Sequence, residues 1–267
     1  MKPKLLCSDL DGTLLSSKSD VSDFTVAMLS KIKDRMRIIL VSARMPSGMR
    51  YLQERLGITH EPLICYNGAL VLDGEKELAS VCIELEVLKQ IHAVCSSFST
   101  DLGLYYQDEW YVPNTSKRVA KEAKYTKTIP TFQNTKTTLE NWEKRGIGAH
   151  KIMLMGTKES ADALMPVLHN NLGTVVHLYR SNDTLIELAP KSISKLSAIN
   201  LLLGQDTCLK EVIAFGDNYN DIEMLKHVGY GVAVANGRDE VKVVADAITL
   251  ANTEDGVAHF IQQHLVI

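Results

Sequence analysis

Two aspartates two residues apart, Asp9 and Asp11, close the short apolar run Leu5-Leu6-Cys7-Ser8 and are followed at once by Gly12-Thr13. An apolar segment that stops in an acidic, glycine-containing turn reads as a buried strand ending abruptly. Carboxylates at i and i+2 share one face if the strand continues. If the turn starts between them they converge on a point beyond the strand end, where open α/β sheets hold their ligands. Two such acids repel each other, and a hard divalent cation held by one or two carboxylates, waters and phosphate oxygens relieves the repulsion; magnesium is bound in this way. Asp-Gly is also a common turn pair, so the stretch alone leaves open an acidic turn with no ligand.

Three more places put polar groups after apolar runs or at helix starts. Met36 to Val41 closes on Ser42-Ala43-Arg44, Lys195 follows a capping Ser194, and Glu211 to Phe215 runs into Gly216-Asp217-Asn218-Tyr219-Asn220-Asp221. In a parallel sheet every strand C-terminus lies on one edge, so these distant segments are expected to meet. Their types suit the holding of a phosphate and a magnesium ion. Asp9 is the expected nucleophile, attacking phosphorus to give an aspartyl-phosphate, with the cation offsetting the repulsion between carboxylate and phosphate. Asp11 is placed to protonate the leaving oxygen and later to take a proton from water, a role worth about 10²- to 10⁴-fold, and its backbone carbonyl can add a metal ligand. Asp217 is the natural further ligand, and Asp221 can bind the metal directly or hold a metal water. The Ser42 hydroxyl, the Ala43 amide, the Lys195 ammonium and the Asn220 amide are expected around the phosphoryl oxygens. Each has a plainer reading: Lys195 as a surface lysine, Ser42 as a helix cap, Asp217-Asn218 as a turn.

These residues also carry a resemblance. Asp9-Leu10-Asp11-Gly12-Thr13 resembles the Asp-x-Asp-Gly-Thr signature of the haloacid dehalogenase-like phosphatases, and Gly216 to Asp221 resembles their Gly-Asp-x-x-Asn-Asp element. Ser42 and Lys195 fall at the spacings of the second and third motifs. Asn67-Gly68-Ala69, Gly231-Val232-Ala233 and Asp255-Gly256-Val257-Ala258 are similar to segments of the Cof-type branch. The resemblance implies a Rossmann-like core, a mobile inserted cap, magnesium, Leu10 among the phosphate-binding positions, and hydrolysis of small phosphorylated metabolites such as sugar phosphates or flavin mononucleotide-like compounds. One position departs from it: the second motif usually carries Gly where this chain has Ala43, and the added methyl crowds the phosphate loop while leaving the amide in place.

The elements that must position these groups follow a β-α rhythm at both ends of the chain. Ser22 is expected to cap a helix over Asp23 to Arg35, whose Phe24, Ala27, Met28 and Ile32 recur at helical spacing. A doubly buried strand follows, then a helix from Pro46 ending at Gly57, a strand Pro62 to Tyr66, and a hairpin through Asp73-Gly74. From about Ile83 the pattern changes to a helix over Glu84 to Phe98, antiparallel strands over Leu102 to Pro113, a polar stretch of weak periodicity from Ser116 to Asn141, and further short strands flanking a helix over Glu159 to Asn170. After Pro190 the first rhythm returns, with helices over Lys195 to Leu203 and Asp221 to His227 and a strand over Gly231 to Val234. The expected fold is α/β, a Rossmann-like doubly wound parallel-sheet core (1–82 and 190–267) interrupted by an inserted α+β cap domain (83–189).

Composition narrows the partners. A net charge of -3 argues against a nucleic-acid binder, which carries a basic excess. No apolar run is long enough for a membrane span, and Asp9 comes too early for a signal peptide, so a cytoplasmic protein with no membrane partner is expected. The five scattered cysteines suit reduced thiols, not a disulfide framework. The expected partner is a small phosphorylated metabolite and the expected state a monomer or weak homodimer. In the cap, Lys117, Arg118, Lys121, Lys124 and Lys127 either draw an anionic substrate or form a solvated helix face. Trp110, Tyr111, Tyr106 and Tyr179 either line a pocket or pack a core. A magnesium-dependent phosphatase leads. A phosphomutase or phosphotransferase using the same intermediate, and a phosphoacceptor signalling module, are the alternatives.

Overall fold

The structure, a computed structural model, describes residues 3–17, 19–204 and 207–266. In chain order its elements are β1 (Leu5–Ser8), α1 (Asp23–Ser30), β2 (Arg37–Val41), α2 (Ser47–Leu56), β3 (Leu63–Cys65), β4 (Leu70–Asp73) and β5 (Lys76–Ser80). There follow α3 (Leu85–Ser96), β6 (Asp101–Tyr106), β7 (Glu109–Val112), α4 (Lys117–Thr126), β8 (Thr131–Phe132), α5 (Thr135–Arg145), β9 (Lys151–Met155), α6 (Lys158–Leu172), β10 (Val176–Asn182) and β11 (Leu185–Pro190). The chain closes with α7 (Lys195–Leu202), β12 (Val212–Gly216), α8 (Ile222–His227), β13 (Tyr230–Val234), α9 (Asp239–Val244), β14 (Ala247–Thr249) and α10 (Gly256–His264). It divides into two compact units, Met1–Leu78 with Ser194–Ile267, and Ala79–Ile193.

The first unit is built on a sheet of order β14-β13-β12-β1-β2-β3-β4-β5. β1 lies parallel between β2 and β12, with Leu5 opposite both Arg37 and Val212. Every residue of β1 and β12 is buried. That is why these strands are unbroken apolar runs and not alternating ones: helices cover both faces of a parallel sheet. From β1 the chain winds outward through β2 and β3, then returns to place β12 on β1's other side. The order therefore reverses at the β1–β12 pair, and the crevice beyond their C-terminal ends is the ligand position of such sheets.

Local signals set the element ends. The Ser22 side chain accepts from Thr25 N–H at the start of α1, and Gly57 ends α2 in the left-handed conformation. α1 stops at Ser30, earlier than its periodicity suggests, because the chain tightens into three-residue turns, Lys31 N–H to Met28 O (3.2 Å) and Ile32 N–H to Leu29 O (3.1 Å). Ile32 still packs inward, fully buried, so the periodicity reports the burial and not the helix.

The second unit is the inserted α+β cap, with a six-stranded sheet of order β10-β11-β9-β6-β7-β8. It has its own core, in which Leu88, Ile91, Trp142, Leu164 and Leu168 of α3, α5 and α6 pack on Leu102, Ile152 and Ile186. The weakly periodic stretch 116–141 contains two helices. Ser116 caps α4 and Asn134 caps α5, but α4 buries only Val119 and Thr126, and α5 buries two threonines beside Leu139 and Trp142. Polar residues at core-facing positions erased the apolar period on which the sequence reading depends. Lys117, Lys121 and Lys124 lie exposed along α4, as a solvated face, and Trp110 is buried in the cap. No helix among the described residues is long and apolar enough to cross a membrane.

Candidate active site

The site residues sit where the sheet order reverses. β1 ends at Ser8, and the Asp9 N–H is held by Phe215 O of β12 (3.0 Å), so the first acid leaves the sheet beside the end of the partner strand. A wide turn over Leu10–Leu14 follows, closed by Leu15 N–H on Leu10 O (3.0 Å). Gly12 makes that turn possible: its φ is +91°, and a Cβ there would stand 2.5 Å from Asp217 Oδ2. The bare backbone at Gly12 lets the β1 and β12 loops close on each other. Thr13 Oγ1 then donates to Asp217 Oδ1 (3.2 Å), a second stitch between them.

Lys195, first residue of α7, extends into this crevice instead of into solvent. It is 1% exposed, and its Nζ donates to Asp9 Oδ1 and to Asp221 Oδ1, both at 2.6 Å. The other Asp221 oxygen accepts the N–H groups of Asp217 and Asn218, each at 3.0 Å, so this side chain also shapes the loop that presents Asp217. Ligand atoms of Asp9, Asp217 and Asp221 lie within 4.8 Å of one another. Burial pushes the Asp9 carboxyl well above its ordinary range, against the pull of Lys195. Burial, and then the Asp221 charge, raise Asp217 to about 6. Burial also opposes the charge of Lys195, but Asp221 and Asp9 outweigh it and raise the ammonium above its usual value.

This arrangement fits a divalent cation. Three carboxylates face one ammonium, and Asp9 Oδ2 is buried with no hydrogen-bond partner. An unpaired buried carboxylate oxygen is costly unless a positive group completes it, and an all-oxygen donor set is what magnesium selects.

The other sequence-predicted residues flank this cluster. Ser42 is buried just beyond β2, its Oγ accepting from Arg44 N–H (3.2 Å), with Ala43 between them. Leu10 is fully buried, which leaves its backbone as the group that can serve a ligand. The Asn220 amide donates to Asn67 Oδ1 (2.9 Å). Asp11 turns away from the cluster: its carboxylate, 52% exposed, is forked by Arg44 at 2.7 and 2.8 Å. Sequence reasoning did not single out Thr13, Arg44 or the side chain of Asn67 for any role. Asn67 lies in a strained run, with φ of +52° at Tyr66, +58° at Asn67 and +104° at Gly68. A Cβ at Gly68 would meet Ser194 O at 2.5 Å, just where α7 begins. Asp9, Ser42 and Asp217 each lie immediately past a parallel strand, and the same search extended by one residue, past Tyr66 at the end of β3, finds Asn67.

Known proteins share this architecture. Residues 6–261 match the haloacid dehalogenase-like hydrolases, and the chain belongs to that family, in its Cof-type branch. Within the family it falls with the phosphatases. It is 32% identical to a candidate phosphatase of Haemophilus influenzae over 98% of each chain. It is 28% identical to the Bacillus subtilis 5-amino-6-(5-phospho-D-ribitylamino)uracil phosphatase YitU, again over 98% of each. The crystal structure of a haloacid dehalogenase-like hydrolase from Bacteroides thetaiotaomicron superimposes with a TM-score of 0.88 at 30% identity, covering 98% of this chain and 99% of that one.

Proposed function

We propose that this phosphatase is magnesium-dependent and hydrolyses small phosphate monoesters, sugar phosphates or similar metabolites, through an aspartyl-phosphate on Asp9. The observation that carries the reading is Asp9 itself: one oxygen on Lys195, the other buried and unpartnered, at the reversal point of the sheet. Asp9, Asp217 and Asp221, with the Asp11 carbonyl, would hold the magnesium ion, which when bound supplies the positive charge that lets a carboxylate approach a phosphate dianion. Lys195 fixes the Asp9 carboxylate through Oδ1, holding it in place as the group that forms the bond to phosphorus. Asp11 gives a proton to the departing oxygen, then takes one from the water that attacks the aspartyl-phosphate. Ser42 Oγ and the backbone amides of Leu10 and Ala43 receive phosphoryl oxygens, with the Asn220 amide held nearby by Asn67.

The unit Ala79–Ile193 is where we place substrate selection. YitU acts on a phosphorylated ribitylamino-uracil and the Escherichia coli relative YbhA, 25% identical, on pyridoxal phosphate; a compact hydroxylated or heterocyclic monoester is the corresponding expectation here. We place the activity in the cytoplasm, in keeping with five free thiols. The test is phosphate release from a panel of monoesters, with magnesium and with chelator, by the wild type and Asp9→Asn. Release that needs magnesium and is lost in the variant supports the proposal; near-normal hydrolysis by Asp9→Asn ends it.

A further inference from the structure

The residue assigned to proton transfer is held by a brace that none of the roles above uses. Asp11 and Ser19 lie in one excursion of the chain, between β1 and α1. Arg44 and Tyr51, from the end of β2 and from α2, grip both ends of it. Arg44 Nε and Nη2 fork the Asp11 carboxylate at 2.8 and 2.7 Å. Arg44 Nη1 donates to Gly48 O (3.2 Å) and to the Tyr51 hydroxyl (3.0 Å), and that hydroxyl donates to Ser19 O (2.6 Å). The two partners differ in kind. Arg44 is 3% exposed and is held, apart from the fork, by its bonds to Gly48 O and the Tyr51 hydroxyl, whereas the Asp11 side chain is 52% exposed. A bidentate fork transmits direction as well as charge, since both carboxylate oxygens must lie in the guanidinium plane. The buried partner therefore sets the orientation of the exposed one.

We propose that Arg44 is a positioning residue for Asp11, and that Tyr51 fixes Arg44 in turn. The inference rests on the phosphatase chemistry above and adds to it two residues that lie outside the cluster of Asp9, Asp217 and Asp221. Because the fork uses one pair of carboxylate lone-pair sites and leaves the other pair open, one of the open sites can carry the proton that Asp11 gives to the leaving oxygen while its plane is held. Misplacing a proton donor by about 1 Å costs on the order of 10²-fold, and the cost falls on leaving groups that need the proton.

That dependence gives the test. The wild type, Arg44→Lys and Tyr51→Phe are compared on benzyl phosphate, whose alkoxide must be protonated as it leaves, and on 4-nitrophenyl phosphate, whose phenolate leaves without help. The constant read is kcat/KM, which reports up to the first irreversible step, transfer to Asp9, and is blind to the later attack of water. Lysine keeps the charge and loses the fork. Expected in Arg44→Lys is a loss on benzyl phosphate of about 10²-fold, with the benzyl-to-nitrophenyl ratio falling at least about tenfold; Tyr51→Phe shifts the ratio the same way by less. Equal losses on both substrates, or an unchanged ratio in both variants, overturn the assignment and leave a structural role only. If Arg44→Lys fails to fold by circular dichroism, the ratio in Tyr51→Phe, which removes one hydroxyl, decides alone. A wild type that hydrolyses neither ester with magnesium defeats the functional reading itself; an active wild type with an unshifted ratio defeats only this inference.

Discussion

Replacing Lys195 by methionine keeps most of the side chain's length and removes its charge. In the native protein its ammonium donates to Asp9 and Asp221 at 2.6 Å each, and all three side chains are nearly or wholly buried. Without it two carboxylates share one dry crevice with Asp217 close by. Breaking a buried ion pair by removing one partner costs about 3–5 kcal/mol, because the stranded charge keeps its desolvation penalty. The folded-to-unfolded ratio should thus fall by about 10²- to 10⁴-fold at neutral pH, read by urea denaturation of both proteins in chelator. The pH dependence carries a sign. Carboxyls whose folded pKa lies above the unfolded value contribute stability in full below the unfolded pKa and lose it as pH rises through the folded one. Asp9 and Asp217 are already raised in the native protein, Asp217 to about 6, and removing the cation raises Asp9 further. The variant's deficit should therefore be largest above pH 6 and shrink on acidification towards pH 4. Magnesium should return part of the lost stability, since it supplies a positive partner to the same acids. A deficit under about 1 kcal/mol at pH 7, or one that grows on acidification, would refute the buried ion-pair account.

Four other outcomes follow from the structure. Asp11→Asn should slow turnover at least about a hundredfold, as expected for a lost proton donor, while leaving magnesium affinity by calorimetry close to that of the wild type. Gly12→Ala should weaken magnesium binding and destabilise the fold by at least about 1 kcal/mol, because a Cβ at φ +91° stands 2.5 Å from Asp217 Oδ2; unchanged affinity in titration calorimetry would contradict the close approach of the two loops. In the cap, Trp142 is fully buried, and Trp142→Ala should cost about 3–5 kcal/mol, seen by hydrogen exchange as lost protection in α5 and β9. His150 is buried, its Nδ1 accepting from Gln107 N–H (3.0 Å), so its Nε2 carries the proton and donates to Ser80 Oγ (2.9 Å). Burial pulls its pKa down to about 4. A histidine with a depressed folded pKa contributes stability that is complete above its ordinary value near 6.5 and is lost as pH falls towards 4. The loss amounts to about 3 kcal/mol, and His150→Asn should flatten that slope in denaturation measured at pH 7 and pH 5.

The strand ends were the legible part of this chain. Asp9, Ser42 and Asp217 each stand directly after a buried and mainly apolar strand, and burial of both sheet faces is what makes such strands apolar. Lys195 was readable as a helix start but not as a buried one, since nothing local distinguishes a lysine that reaches solvent from one that reaches Asp9 186 positions away. Arg44 was visible only as the third residue of a motif; its partnership with Asp11 depends on how the turn after β1 folds back. α4 and α5 were obscured because threonines and a few large anchors bury their inner faces. β14, three residues long and only half-buried, left no apolar run at all.

β1 is the centre of the first unit's sheet, yet one of its two neighbours is encoded some two hundred residues downstream, with Thr13 and Asp217 separated by 204 positions. While the ribosome is still making the cap, Leu5, Leu6 and Cys7 have β2 on one flank and a bare backbone on the other. A nascent chain is thus carried through most of its synthesis with a greasy, open strand edge, the feature that invites pairing with a stranger. Premature termination anywhere before Val212 would leave that edge permanently uncovered, and aggregation, not mere inactivity, is the fate expected of such fragments.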